Sequence, residues 1–200
     1  MAYKKLFAKK DTVIQDRAHH LQVAKEGVSA NFGASEILEV GSSTNPTFDV
    51  EEHFIRRTLI QFDLSSLTAK INNGDILRSQ TISANLKLFN VNHSGMQAED
   101  YKLNIIPLTV PWDEGSGTDL HLSPISGYAN WIERRTGTTW EYQGVLSSTT
   151  ANDFISGTDY DLTSSAQTEQ LIGDGEDITL DISTIFNNWL DGTSANHGLI

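Results

Sequence analysis

The chain contains no cysteine, so neither a disulfide framework nor a thiolate metal site can support it. Basic residues are few: 14 Lys and Arg stand against 26 Asp and Glu, a formal net charge of −12. They are spread along the sequence, which argues against nucleic acid, because binding there needs cations lined up on phosphates. Acidity also opposes an anionic membrane face and suits solubility or a basic partner. No run approaches the roughly 18 apolar residues of a membrane-spanning helix. Behind Met1-Ala2-Tyr3-Lys4-Lys5 there is no apolar signal-peptide core, so no membrane insertion is expected and the chain is placed in the cytoplasm of the cell that makes it.

Signatures of catalysis are missing as well. There is no G-x-S-x-G nucleophile elbow and no Walker or dinucleotide glycine loop. The histidines (His19, His20, His53, His93, His121 and His197) show no metal spacing, and Glu51-Glu52-His53 lacks the second histidine of H-E-x-x-H. The chain is therefore not expected to be an enzyme.

What is present reads as β structure. Two hundred residues with 38% hydrophobic content suit one domain over 1–200, able to bury roughly 70% of its unfolded surface. Thr12–Ile14, Glu36–Val40, Phe54–Asp63, Ala84–Leu88 and Tyr101–Leu108 have strand composition, Phe54–Asp63 being the strongest central candidate. Turn-forming stretches separate them. Gly41–Glu52 reads as an exposed polar excursion, Leu64–Leu67 and Ile71–Asp75 as turns. One helix is expected near 182–190, where Ile182, Ile185, Phe186, Trp189 and Leu190 share a face, Asp181 or Ser183 can cap, and Gly192 can close. From 111 to 157 the chain is irregular yet holds Trp112, Trp131 and Trp140, and a loop that long is functional or wrapped on its own aromatics. The fold class expected is all-β: an antiparallel two-sheet sandwich, jelly-roll-like, with a helical lid.

Several motifs occur in order. Arg57-x-Leu59-x-x-Phe62-Asp63-Leu64-Ser65 precedes Ile82-x-Ala84-x-Leu86-x-Leu88, then Pro111-Trp112-Asp113-Glu114-Gly115 and Trp131-x-x-Arg134-x-x-Gly137-x-x-Trp140. The series ends with Asp181-Ile182-Ser183, Trp189-Leu190-x-Gly192 and Asn196-x-Gly198-Leu199. In this the chain resembles DNRLRE-type, or disaggregatase-related, domains, which are β-sandwiches like carbohydrate-binding modules. The resemblance implies fold-defining positions for Trp131 and Trp140. It also implies a role as an accessory domain of surface or polysaccharide-associated proteins, or as a stand-alone structural protein of tailed phages. The family pattern runs past N-x-G-L into further strands, so the resemblance implies closing strands beyond Ile200 or a neighbour that supplies one.

Candidate sites follow from residue chemistry. Asp113 and Glu114 are adjacent, so in an extended segment they point apart and make a poor acid/base pair. With Asp119 and backbone carbonyls they offer oxygen ligands that suit calcium, at a spacing that does not fit an EF-hand loop; no other cofactor is expected. Tyr128, Trp140 and Tyr142 can stack on sugar rings, or pin the long loop to the sheets. The expected function is that of a non-catalytic virion protein (neck, tail, baseplate or capsid surface) of a tailed phage. Its expected partners are other virion proteins and copies of itself, packed in the host cytoplasm. The alternative is a carbohydrate-binding module for surface glycans, possible as a virion adhesion domain.

Overall fold

The computed structural model describes residues 3–16, 30–45, 52–78, 81–91, 101–118, 128–146, 155–164, 166–170 and 177–200. Among the described residues strands dominate, in small antiparallel sheets, with two short helices. No described helix is long and apolar enough to cross a membrane.

The organising strand is β3, Glu52–Phe62, flanked by β1 (Ala8–Gln15) and β2 (Gly41–Asn45). β1 pairs along most of it, Ala8 opposite Phe62 and Gln15 opposite Arg56, and β2 pairs from Gly41–Arg56 to Asn45–Glu52. Leu59 and Ile60 are both buried. Successive strand side chains point to opposite faces, so β3 is covered on both at this level.

β2 corrects the sequence reading, which put a strand at Glu36–Val40 and an excursion at Gly41–Glu52. The ladder forms at Gly41–Asn45 instead, and Glu36–Val40 is exposed without ladder pairing. A ladder is made by backbone N–H and C=O groups, so the polar run Gly-Ser-Ser-Thr-Asn pairs as a flank without apolar side chains.

Further ladders join β4 (Asn85–Leu88) to β9 (Ile178–Asp181) and β5 (Tyr101–Ile105) to β8 (Ala166–Gln170), while β6 (Glu133–Arg135) and β7 (Thr138–Thr139) form a small hairpin. A second correction is helix α1, Ser65–Asn72, where turns were expected. Leu64, Leu67 and Ile71, at helical spacing, all pack into one core, and the Asp63 carboxylate accepts the Ser65 amide at 2.9 Å. The expected helix is α2, Ser183–Asp191, with Ile185, Phe186 and Trp189 buried. Asp181 accepts the Ser183 amide at 2.8 Å, and Gly192 ends the helix at φ 72°.

The segment Gly198–Ile200 is paired on both sides. Ile60 and Leu199 exchange bonds of 2.9 and 2.7 Å, Ile106 and Ile200 bonds of 2.8 and 2.9 Å, and Leu108 donates to Gly198 at 2.9 Å. It thus runs as an inner strand between β3 and the continuation of β5. Leu199 and Ile105 face one core, built with Leu67, Leu86, Leu180 and α2. Ile200 and Ile106 face the other, built with Ile14, Leu59, Trp112, Trp131, Trp140 and Tyr160. The alternation of a strand therefore divides two cores.

Candidate functional site

Residues 111–118 and 128–146 cover the second of these cores, and most of the residues singled out in the sequence belong to them. Trp112 is enclosed and its indole N–H donates to the His197 carbonyl at 2.8 Å. The next two residues diverge. Asp113 donates its amide to Arg134, accepts the Ala129 amide, and has its carboxylate 3.6 Å from Arg135 Nε. Glu114 Oε1 accepts the Asp11 amide of β1 at 2.7 Å. Burial, then the nearby Glu114, raises the Asp11 carboxyl above the usual range. Each carboxylate therefore serves its own internal contact, and the pair does not converge on a shared reacting atom.

Asp119, the third expected calcium ligand, lies outside the described residues. Among the described residues no group of three or more His, Asp or Glu could hold a metal ion.

The aromatic candidates separate in the same way. Trp140 is only 4% exposed, packed in the core, and its indole N–H donates to Asn130 at 2.9 Å. Of the two expected roles, stacking on sugar or pinning the loop, this enclosure suits the pinning one. Tyr128 and Tyr142 are half-buried, Tyr142 against the same core.

Three residues that the sequence reading did not single out as sites organise this segment. Asn31, buried, donates to the carbonyls of Glu114 (2.6 Å) and Ala129 (2.8 Å) and accepts the amides of Gly33 and Gly117, both 3.1 Å. A side-chain amide offers two donors and an acceptor oxygen, all used here. At Gly115, φ is +86° and a Cβ would stand 2.1 Å from the Asn31 side chain, so only glycine fits beside it. Asn130 accepts the amides of Ile132 and Glu133, each at 2.8 Å, which turns the chain into β6.

Arg57, from β3, is the third. Its guanidinium donates to the carbonyls of Gly144 and Leu146 and stacks on Trp131. Burial lowers its pKa to about 10, against the opposing pull of Asp16 and Tyr160, so it remains charged at neutral pH. The clue in the sequence was the pair Arg56-Arg57 set inside the strongest strand candidate. Asn31 had a weaker one, the Asn-Phe-Gly turn.

On the outer side of Trp112 stand Lys10, Arg134 and Arg135, with Lys10 Nζ 3.1 Å from the Trp112 carbonyl and Arg134 2.8 Å from that of Pro111. Burial first, then Arg135, Arg134 and Lys10, lowers the pKa of His197 below its ordinary value. No family model matches the chain, and no curated protein or solved structure matches it either.

Proposed function

We propose that this chain is a non-catalytic structural protein of a tailed-phage particle, working through protein–protein packing. The observation that carries the reading is a division of labour between inside and outside. Asp113, Glu114, Trp112 and Trp140 are engaged in internal bonds that hold the long segment down, whereas Tyr3, Phe7, Ile37, Val40 and Phe89 stand exposed on the surface. Where such side chains are near neighbours in the chain, as Tyr3 with Phe7 and Ile37 with Val40, they offer area that another protein can bury. The in-order motifs that resemble those of DNRLRE-type domains support the same reading. They also support layering of the small ladders into a two-sheet sandwich within a single domain.

Immunoblotting of purified particles of the source virus with an antibody to this chain tests the proposal. The protein is expected at a fixed ratio to the other particle proteins. Recovery only in the free protein fraction contradicts it. Glycan binding is the weaker reading, because of its three candidate rings Trp140 is enclosed and Tyr128 and Tyr142 are half-buried. A glycan array that gives specific binding, lost in Tyr142→Ala, would revive it.

A further inference from the structure

Basic residues occur along the whole sequence, but its first ten residues are richer in them than the rest. Lys4, Lys5, Lys9 and Lys10 put four positive charges and no negative one into the first ten residues, leaving −16 on the rest of a chain that totals −12. The same stretch carries Tyr3 and Phe7, 84% and 83% exposed. It is not loose: Leu6 packs on the core beneath α1, and the Lys4 ammonium donates to the Ser66 hydroxyl. Two aromatic rings are thus held outward on an anchored basic stretch.

A surface of opposite character lies elsewhere. Glu36-Ile37-Leu38-Glu39-Val40 combines two acidic and three aliphatic residues, and Ile37 and Val40 are 50% and 56% exposed. It is fixed beside β3, where the Glu39 carbonyl accepts the Thr58 hydroxyl at 2.9 Å and the Glu39 carboxylate pairs with Arg56.

Strand register keeps the two surfaces of one chain apart. The basic stretch enters β1 at Ala8, opposite Phe62, on one side of β3; the acidic strip enters β2 at Gly41, opposite Arg56, on the other. β3 itself stands between the two: β1 lies on one side of it, and the strip flanks it on the other, with Glu39 level with Thr58. A chain does not cover its own strip.

We propose that Tyr3–Phe7 of one copy docks on Glu36–Val40 of a second copy, aromatic rings on the aliphatic side chains and lysines beside the glutamates. The proposal rests on the assembly reading above and names the partner: this chain itself. The two surfaces differ, so the contact is heterologous and can repeat from copy to copy. Each aromatic buries about 150–250 Å², so one contact falls below the roughly 1,200–2,000 Å² of a stable interface. Self-association is therefore weak and strengthened by repetition.

Sedimentation velocity of the purified full chain up to about 200 μM, a range suited to weak contacts, tests this. Concentration-dependent association is expected for the wild type. Phe7→Ser and Val40→Ser should each weaken it at least about tenfold, with melting temperatures unchanged because both side chains are exposed. An equimolar mixture of the two variants should form 1:1 pairs, since each supplies the surface the other lacks. A wild type that stays monomeric, variants that associate as before, or a mixture that stays monomeric would each overturn the proposal. So would a monomer that binds anionic vesicles through the lysines. None of these results touches the particle immunoblot, which can still succeed through other partners.

Discussion

The guanidinium of Arg57 lies 5.1 Å from the centroid of the Trp131 ring, so a charge from the central strand is clamped under the long covering segment. An arginine suits this place because its planar fork can stack and donate in several directions at once. It joins β3 to Gly144 and Leu146, nearly ninety residues away in sequence.

Removing that clamp should be costly. Arg57→Ala leaves two backbone carbonyls without their donor and Trp131 without its stacking partner, and is expected to lower unfolding stability by about 3 kcal/mol. Arg57→Lys keeps the charge but not the fork and should recover only part of it. Urea denaturation measures both; an alanine variant within about 0.5 kcal/mol of wild type, the range of ordinary surface changes, would contradict the role.

Asn31 makes a second prediction. Asn31→Leu keeps the volume but orphans the carbonyls of Glu114 and Ala129 and the amides of Gly33 and Gly117. A loss of about 2–4 kcal/mol is expected from unmet buried groups. Limited proteolysis should then cut first near 114–117. An unchanged cleavage pattern would count against the knot.

Two glycines should respond differently to alanine. At Gly192, φ is +72° but a Cβ would meet nothing within 4 Å, so only conformational strain, about 1 kcal/mol, is at stake. At Gly198, φ is +92° and a Cβ would stand 2.4 Å from the Ile60 carbonyl, the acceptor of the Leu199 amide. Gly198→Ala must break the inner pairing and should lower the melting temperature well beyond Gly192→Ala. Equal effects would place the strain elsewhere.

His197 predicts a pH dependence. Its folded pKa lies below the ordinary 6.5, so the unfolded chain binds the proton more readily. Its contribution to stability is present above pH 6.5 and is lost as pH falls through the window below. His197→Gln should flatten that part of the stability profile while leaving the carboxylate region lower down. The lowered pKa values of Asp63, Asp161 and Asp181, each from hydrogen bonds to nearby Ser or Thr, act there with stability lost as pH drops below their range. A variant whose profile overlays wild type across pH 5 to 7, where histidine titrates, would contradict the assignment.

The parts of the fold legible in the sequence were those in which side-chain pattern and backbone agree. β3 and α2 carry strong apolar periodicity, and both form where it predicts. β2 was not legible, because Gly41–Asn45 is recruited by backbone pairing and has no apolar pattern to reveal it. α1 was masked by its serines and asparagines, which favour turns as readily as a short helix. At the candidate site the tryptophans were visible as a group, but their burial depends on Asn31, Asn130 and Arg57. These partners lie far away in sequence or bond to backbone, and such contacts leave no spacing to read.

The central claim is that residues 111–118 and 128–146 are part of the folded body rather than a loop waiting for a ligand. Amide hydrogen exchange of the free protein tests it most directly. The account predicts that the amides of Asp113, Ala129, Asn130, Trp140 and Gly144, all donors to backbone carbonyls, are protected to the level of β1 and β3. Rapid exchange across this segment, beside protected strands, would contradict it.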